Sequence, residues 1–109
     1  AFDLWVCFHV LDVIPDDRAA MRELFRVLAP GGIGVLDHVM TWGRPTEEYA
    51  SSRRDQCFHV RRYGHDLPAR LEEVGFEVEL VDVDAKLDAE LMRRHGVPRR
   101  RFVVCKKPG

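Results

Sequence analysis

Apolar residues form a nearly continuous run at the start of the chain and then recur at helical spacing. Residues 2–7 read Phe-Asp-Leu-Trp-Val-Cys, which is typical of a strand buried on both faces in a parallel sheet. Over residues 18–28 the apolar side chains fall on one side of a helix and the charged ones on the other. Asp16 or Asp17 can cap this helix, because a carboxylate accepts hydrogen bonds from unpaired backbone N–H groups. We therefore predict a strand followed by an amphipathic helix that lies on a sheet.

A short turn and a second apolar run follow this helix. Residues 30–32, Pro-Gly-Gly, are predicted to end it, because proline cannot continue a helix and glycine accepts a left-handed backbone. Residues 33–36 then predict a second strand, parallel to the first, as in other strand-helix-strand units. Ligands bind beyond the carboxyl ends of such strands, which are here residues 8–12 and 37–42.

The rest of the chain predicts two more strands and two helices after a long polar connection. Residues 41–63 show weak periodicity, apart from a short helix that Thr46 could cap, and a connection this long predicts a functional flap. A helix is predicted to open at Asp66 and close at Gly75. The remaining predicted elements are a half-buried strand at residues 76–80, a short helix at residues 88–95 and a last strand at residues 101–106.

Composition and charge narrow the class of protein. At 109 residues, with 46% hydrophobic and 32% charged residues, the chain is predicted to form one small globular domain over residues 1–109. The net charge of -1 gives no reason to expect nucleic acid as a partner, and the basic residues near the C-terminus are expected to form a solvated face. No apolar run reaches the roughly 18 residues of a membrane span. We therefore expect no membrane partner, a cytoplasmic location and three reduced cysteines.

Several motifs, in this order and spacing, resemble those of class I methyltransferases. They are residues 2–7, residues 9–16 (His-Val-Leu-Asp-Val-Ile-Pro-Asp) and residues 26–32 (Arg-Val-Leu-Ala-Pro-Gly-Gly). Residues 59–64, together with residues 67–78, are similar to the closing helix and strand of type 11 methyltransferases. The resemblance covers almost the whole chain and implies an α/β fold of the partial Rossmann-like methyltransferase kind. Its mixed sheet has about four strands with flanking helices; the first three strands are parallel, and the last inserts antiparallel between the second and third.

The resemblance also implies that some parts of the family's domain are absent. No GxGxG turn occurs among the 109 residues, and the acidic residue that holds the cofactor ribose has no counterpart. We therefore expect the chain to be the C-terminal half of a methyltransferase domain, with the missing N-terminal half as its partner. The chain alone is expected to be inactive, although the parent protein is an enzyme. Val13 departs from the family, which often has histidine at that place.

S-adenosylmethionine and a small-molecule methyl acceptor are the ligands that the resemblance implies. Cofactor binding is expected at the end of the first strand, by Cys7, Phe8, His9 and Val10. His9 and His59 are the candidate catalytic residues, because imidazole can remove a proton from an acceptor. The candidate substrate-binding residues are Asp37, His38, His59, Arg61 and Tyr63.

Each of these assignments has a plainer structural alternative. His9 could cap its strand and bond to the backbone, and Asp37 and His38 could bond to the backbone of a local turn. His59, Arg61 and Tyr63 alternate along the chain, so an extended backbone would place all three on one face, where they could instead pack the flap.

The four residues Cys-Phe-His-Val occur twice, at residues 7–10 and 57–60, and suggest a zinc site. One residue between cysteine and histidine is tighter than the usual zinc spacing, so we predict no metal.

Two competing functions remain. The chain could be the remnant of a nicotinamide-dependent oxidoreductase, because open α/β sheets host both activities. It could also be a non-catalytic module that docks through residues 2–7 as an open edge strand.

Overall fold

The chain forms a four-stranded mixed sheet with two helices on one face, and a smaller three-stranded sheet beside it. The computed structural model describes residues 1–38, 40–49, 59–82, 89–95 and 101–109. The strands are β1 (Phe2–Phe8), β2 (Leu28–Asp37), β3 (Met40–Thr41), β4 (Glu47–Glu48), β5 (Arg61–Gly64), β6 (Glu77–Asp82) and β7 (Arg101–Lys106). The helices are α1 (Asp17–Val27), α2 (Leu67–Val74) and α3 (Ala89–Arg94), and a 3₁₀ turn spans Leu11–Val13.

The larger sheet has the strand order β1-β2-β7-β6. β1 and β2 are parallel, with Cys7 opposite Leu36. β7 runs antiparallel to both of its neighbours, and its Val104 lies between Val35 of β2 and Glu79 of β6. The predicted order and strand directions are therefore confirmed, including the last strand inserted between the second and third.

β2 begins at Leu28 and not at Ile33, where the apolar run begins. Leu28 has an extended backbone, with φ -77° and ψ 139°, and pairs with Phe2. The next pairs in the ladder start at Ile33, so residues 29–32 bulge out of register. Gly31, with φ +82°, supplies the left-handed backbone that this bulge needs. The helix does end before Pro30, at Val27, but the predicted turn is wrong, because Pro-Gly-Gly forms an irregularity within a strand.

The helices α1 and α2 begin and end close to their predicted limits. The Asp16 carboxylate accepts a hydrogen bond from the Ala19 N–H at 3.0 Å and so caps α1. α2 follows Asp66 and ends at Gly75, whose φ of +123° few other residues adopt. In the described part of the chain, no helix has the length and apolar character needed to cross a lipid bilayer.

The predicted short helix after Thr46 is wrong. Glu47 and Glu48 form β4, which pairs antiparallel with β5, while β3 pairs parallel with β5 on its other side. Thr46 caps nothing, because its hydroxyl donates to the Asp66 carboxylate at 2.6 Å and accepts from the Gly64 N–H at 3.0 Å. Residues 50–58, in the middle of the predicted flap, lie outside the described residues.

One face of the larger sheet packs against α1 and α2. Trp5 Nε1 donates to the Leu24 carbonyl at 2.9 Å, and its ring meets Phe76 edge-on at a centroid distance of 6.1 Å. A β-carbon at Gly34 would lie only 2.2 Å from the indole, so glycine lets Trp5 lie flat on β2. The buried core includes Cys7, Met21, Leu36, Leu71, Val103 and Cys105.

The opposite face of the sheet, which we call the open face, carries exposed apolar side chains. Its members are Phe2, Leu4, Val6, Phe8 and Ile33, and the first four are 62, 59, 59 and 46% exposed. The prediction that β1 is buried on both faces is therefore wrong, because the two helices that pack on the described sheet lie on the Trp5 side. The alternation of β1 buries only that side.

The two faces give a matched test of the packing. Leu71→Ala should lower the free energy of unfolding by about 2–5 kcal/mol, because Leu71 is fully buried and its truncation leaves a cavity. Leu4→Ala should cost less than about 1 kcal/mol, because that side chain lies on the open face. Urea unfolding followed by circular dichroism measures both. Equal losses would contradict the assignment of the two faces.

Candidate functional site

The carboxyl ends of β1 and β2 meet at one rim of the larger sheet, as predicted. The His9 N–H donates to the Asp37 carbonyl at 2.8 Å. His9 has φ +57°, a left-handed backbone that few residues other than glycine adopt and that is found repeatedly at functional sites. Its side chain is 44% exposed, with Nε2 lying 3.8 Å from Oδ2 of Asp37. The rim therefore presents an accessible imidazole beside a buried carboxylate.

A second histidine of this rim is buried. His38 is 5% exposed, and its ring lies 6.3 Å from that of His9 between centroids. The Leu11 N–H donates to Nε2 of His38 at 3.2 Å. Burial lowers the pKa of His38 below its usual 6.5, and the nearby Asp12 carboxylate only partly opposes this effect. His38 is therefore a neutral imidazole at pH 7.

Asp12, in the 3₁₀ turn, joins these residues and was not singled out from the sequence. It is 2% exposed, and its Oδ2 lies 3.5 Å from Nε2 of His59, whose side chain is 30% exposed. The Val60 N–H donates to the Asp12 carbonyl at 2.8 Å, which holds the segment before β5 against the turn. We call His9, Asp12, Asp37, His38 and His59 the rim cluster. The one signal for Asp12 is a carboxylate in the otherwise apolar residues 10–14.

Arg61 fastens β5 to the 3₁₀ turn. It is 2% exposed, and each of its guanidinium nitrogens donates a hydrogen bond. Nη1 bonds to the carbonyls of Leu11 and Ile14, Nη2 bonds to the carbonyl of Pro15 at 2.7 Å, and Nε bonds to Glu48 at 3.0 Å. We call this arrangement the Arg61 clamp. The Arg61 guanidinium therefore forms its hydrogen bonds within the interior of the protein.

Tyr63 links the rim cluster to α1. Its hydroxyl donates to Oδ2 of Asp17 at 2.7 Å, and Nη1 of Arg70 donates to the same oxygen at 2.9 Å. Burial would raise the pKa of Asp17, but Tyr63, Arg61 and Arg70 together outweigh burial and lower it. The Tyr63 ring also packs against His38, with a centroid distance of 5.3 Å. Burial and the bond to Asp17 raise the pKa of Tyr63, so the phenol stays protonated.

The structure thus brings together four of the predicted site residues, His9, Asp37, His38 and His59, at one rim. The polar groups of Arg61 and Tyr63 instead bond to backbone and side chains within the protein. Of the predicted cofactor residues, Phe8 and Val10 are 46 and 42% exposed beside His9, whereas Cys7 points into the core.

The cysteines do not contribute a metal centre in the described part of the chain. Cys7 and Cys105 are both free thiols, and burial raises the pKa of Cys105 to about 12. Cys57, half of the repeated Cys-Phe-His-Val sequence, lies outside the described residues. Among the residues that the structure describes, no three His, Cys, Asp or Glu side chains are arranged to hold a metal ion.

Comparisons with known proteins identify this architecture. Residues 1–36, from β1 almost to the end of β2, match the family described as the methyltransferase domain. The [4+2]-cyclase SpnF superposes with a TM-score of 0.64 at 19% identity, over 99% of this chain and 50% of that one. The fold is that of a class I methyltransferase. A comparison with curated proteins found no match.

Two further structures with the methyltransferase fold superpose over nearly the whole chain. Phosphoethanolamine N-methyltransferase 2 of Haemonchus contortus, bound to phosphomonomethylethanolamine and S-adenosylhomocysteine, gives a TM-score of 0.61 at 12% identity over 99% of this chain and 34% of that one. A Haloferax volcanii methyltransferase in complex with its activator Trm112 gives 0.62 at 16% identity, over 100% of this chain and 55% of that one. The chain thus spans between a third and about half of the length of these proteins.

The Tyr63 hydroxyl should contribute measurably to the stability of this methyltransferase fold. Tyr63→Phe should lower the free energy of unfolding by about 1–3 kcal/mol, because it removes a buried hydrogen bond to the Asp17 carboxylate. Tyr49→Phe is the matched control, since Tyr49 lines an open surface cleft, and should change stability by less than about 0.5 kcal/mol. Urea unfolding at pH 7 measures both, and equal effects would contradict a structural role for Tyr63.

Proposed function

We propose that this chain supplies the carboxyl rim of a methyltransferase that moves a methyl group from S-adenosylmethionine to a small-molecule acceptor. The observation that carries the proposal is the meeting of His9, Asp37 and His38 at the ends of two parallel strands, within the segment that matches the methyltransferase domain and just beyond it. In open α/β sheets this edge is where ligands bind. The complex of the Haemonchus enzyme with S-adenosylhomocysteine supports the choice of cofactor.

The residues at the end of β1 fit one end of such a cofactor. S-adenosylmethionine, when bound, supplies an activated methyl group on a positively charged sulfur. The exposed faces of Phe8 and Val10 offer apolar contact beside that position, and Cys7 can contribute only its backbone because its side chain is buried. His9, with its left-handed backbone, directly follows β1. We assign these four residues, Cys7 to Val10, to the methionine end of the cofactor.

Methyl transfer is a direct displacement, so the protein mainly aligns the acceptor and excludes water, and a base assists where the acceptor carries a proton. His9 and His59 are the accessible imidazoles of the rim cluster and are the proposed catalytic bases. His59 is paired with the buried Asp12, which can orient its ring. Asp37 and His38 form the proposed acceptor side of the rim.

Arg61 and Tyr63 support this site through other residues. The Arg61 clamp holds the turn that carries Asp12, and Tyr63 packs against the ring of His38. We therefore propose that both act on the substrate indirectly, by positioning the rim cluster.

The open face is the proposed contact with the rest of a methyltransferase domain. Sheets of this class carry helices on both faces, and here the described helices that pack on the sheet cover one. The chain also spans only part of each superposed methyltransferase. We propose that the N-terminal half of such a domain packs on Phe2, Leu4, Val6, Phe8 and Ile33, and that the chain alone does not turn over.

Binding of S-adenosylhomocysteine tests the cofactor assignment. Added to the ¹⁵N-labelled chain, it should shift the backbone amide signals of residues 7–10 in a saturable way and leave those of α2 unchanged, and NAD should not produce these shifts. His9→Ala should weaken the binding by up to about tenfold, while His95→Ala at the end of α3 should not. Shifts with NAD alone would favour an oxidoreductase. Methyl transfer by the chain alone would contradict the proposed need for a second half.

A hydrophobic dye tests the open face. The fluorescence of 8-anilinonaphthalene-1-sulfonate should rise on mixing with the folded chain, and the double variant Leu4→Lys with Val6→Lys should reduce that rise at least about twofold, because both side chains are exposed apolar groups of this face. Leu91→Lys is the control, since this exposed leucine lies on α3. The proposal would be contradicted if the chain did not raise the fluorescence of the dye. It would also be contradicted if Leu91→Lys reduced that fluorescence as much as the double variant does.

A further inference from the structure

Two polar atoms of the rim cluster are buried without a hydrogen-bond partner among the described residues. They are Oδ1 of Asp12 and Nδ1 of His38. The Asp12 side chain is 3% exposed and His38 is 5% exposed, so neither atom faces open solvent. Buried polar groups in folded proteins nearly always have partners, and those that lack one frequently mark a functional position. At the rim proposed to bind ligands, these two atoms are therefore candidates to bind a polar group of a ligand.

The hydrogen-bond character of the two atoms is opposite. The Leu11 N–H donates to Nε2 of His38, so that nitrogen carries no hydrogen. Because burial keeps the ring neutral, its single N–H lies on Nδ1, which is therefore a donor. Oδ1 of the Asp12 carboxylate is an acceptor. Asp12 directly follows Leu11, whose N–H bonds to the His38 ring at 3.2 Å, so the Asp12 carboxylate lies in the same part of the rim as this ring.

We propose that Oδ1 of Asp12 and Nδ1 of His38 together bind the hydroxyl group of the methyl acceptor, and that the substrate is an alcohol or a phenol. A hydroxyl donates its hydrogen to Asp12, accepts a bond from His38 with one lone pair, and keeps its second lone pair for attack. A neutral amine has a single lone pair, which His38 would occupy, and an ammonium group has none. This inference rests on the proposed methyl-transfer function and names the substrate class of its site.

The transfer balances with groups already present at the rim. The second lone pair of the hydroxyl oxygen forms the new bond to the methyl carbon, and the bond from that carbon to sulfur breaks with its electron pair left on sulfur. The hydroxyl proton passes through Oδ1 of Asp12 to His59, the proposed catalytic base that pairs with this carboxylate. Oδ2 of the same carboxylate lies 3.5 Å from His59, which is partly exposed and can pass the proton to solvent. The products are a methyl ether, S-adenosylhomocysteine and one proton.

Histidine ring spectra of the full chain test this assignment with three matched probes. Long-range ¹H–¹⁵N correlation at pH 7 should show His38 neutral and protonated at Nδ1. Phenol should shift the His38 ring signals in a saturable way. Aniline has the same shape, but its one lone pair is delocalised into the ring and accepts only weakly from Nδ1 of His38, so it should bind at least about tenfold more weakly. Toluene, which lacks a polar group, should leave His38 unchanged.

A variant pair separates the carboxylate from general effects of charge. Asp12→Leu removes the acceptor at similar size and should abolish the response of His38 to phenol. Asp3→Leu, at an exposed aspartate of β1, should leave that response unchanged. If Asp12→Leu does not fold, the three probes on the unaltered chain still decide the question.

Three results would overturn the proposal: a proton on Nε2 of His38, an equal response to phenol and aniline, or no response to phenol, as expected if one bound water fills the position.

Adding S-adenosylhomocysteine to the same samples separates this inference from the function on which it rests. Cofactor shifts at residues 7–10 without a phenol response leave the methyltransferase proposal standing and remove this one. A phenol response without cofactor shifts removes methyl transfer, and with it the role of the hydroxyl as methyl acceptor.

Discussion

The buried guanidinium of Arg61 is the interaction on which the geometry of the rim depends. Its bonds to three carbonyls of the segment that follows β1 join two parts of the chain about fifty residues apart. A buried charge is stable only when its hydrogen bonds are satisfied, and here each nitrogen of the guanidinium has an acceptor. The 3₁₀ turn is therefore held by β5 as well as by its own short helical bonds. Asp12 and His59 face each other because this connection brings their segments together.

Most helices and strands could be predicted from local pattern, whereas the order of the strands in the sheet was implied by the family resemblance, and the site was predicted only in part. α1 and the last strand follow from periodicity and from a capping aspartate, which act over a few residues along the chain. The internal roles of Arg61 and Tyr63 could not be read in this way, because their partners lie 46 to 50 residues away. The continuous apolar run in β1 has the same origin as the open face. The sequence of β1 is typical of a strand that is buried on both faces. Within the described residues, however, helices cover only one face of this strand.

The methyltransferase fold does not by itself decide the reaction. SpnF is a cyclase and the Haemonchus protein is an N-methyltransferase, yet this chain superposes on both to a similar degree. The reaction therefore depends on side chains as well as on the fold. In this chain the side chains at the rim are three histidines and two aspartates at the ends of strands and in a turn, with one histidine held neutral by burial. In the proposed function, such a set handles a proton and does not simply enclose an apolar substrate.

Because Trp5 packs on Gly34, its fluorescence can report whether α1 is packed on the sheet. The indole bonds to α1 at the Leu24 carbonyl and rests on β2, so its emission depends on whether the helix is docked on the sheet. The other tryptophan, Trp42, lies elsewhere, with the Arg101 guanidinium 5.3 Å from its ring centroid. Intrinsic fluorescence can therefore follow the closure of this helix layer without any added label, and replacing Trp42 with phenylalanine would leave a single indole as the source of the signal.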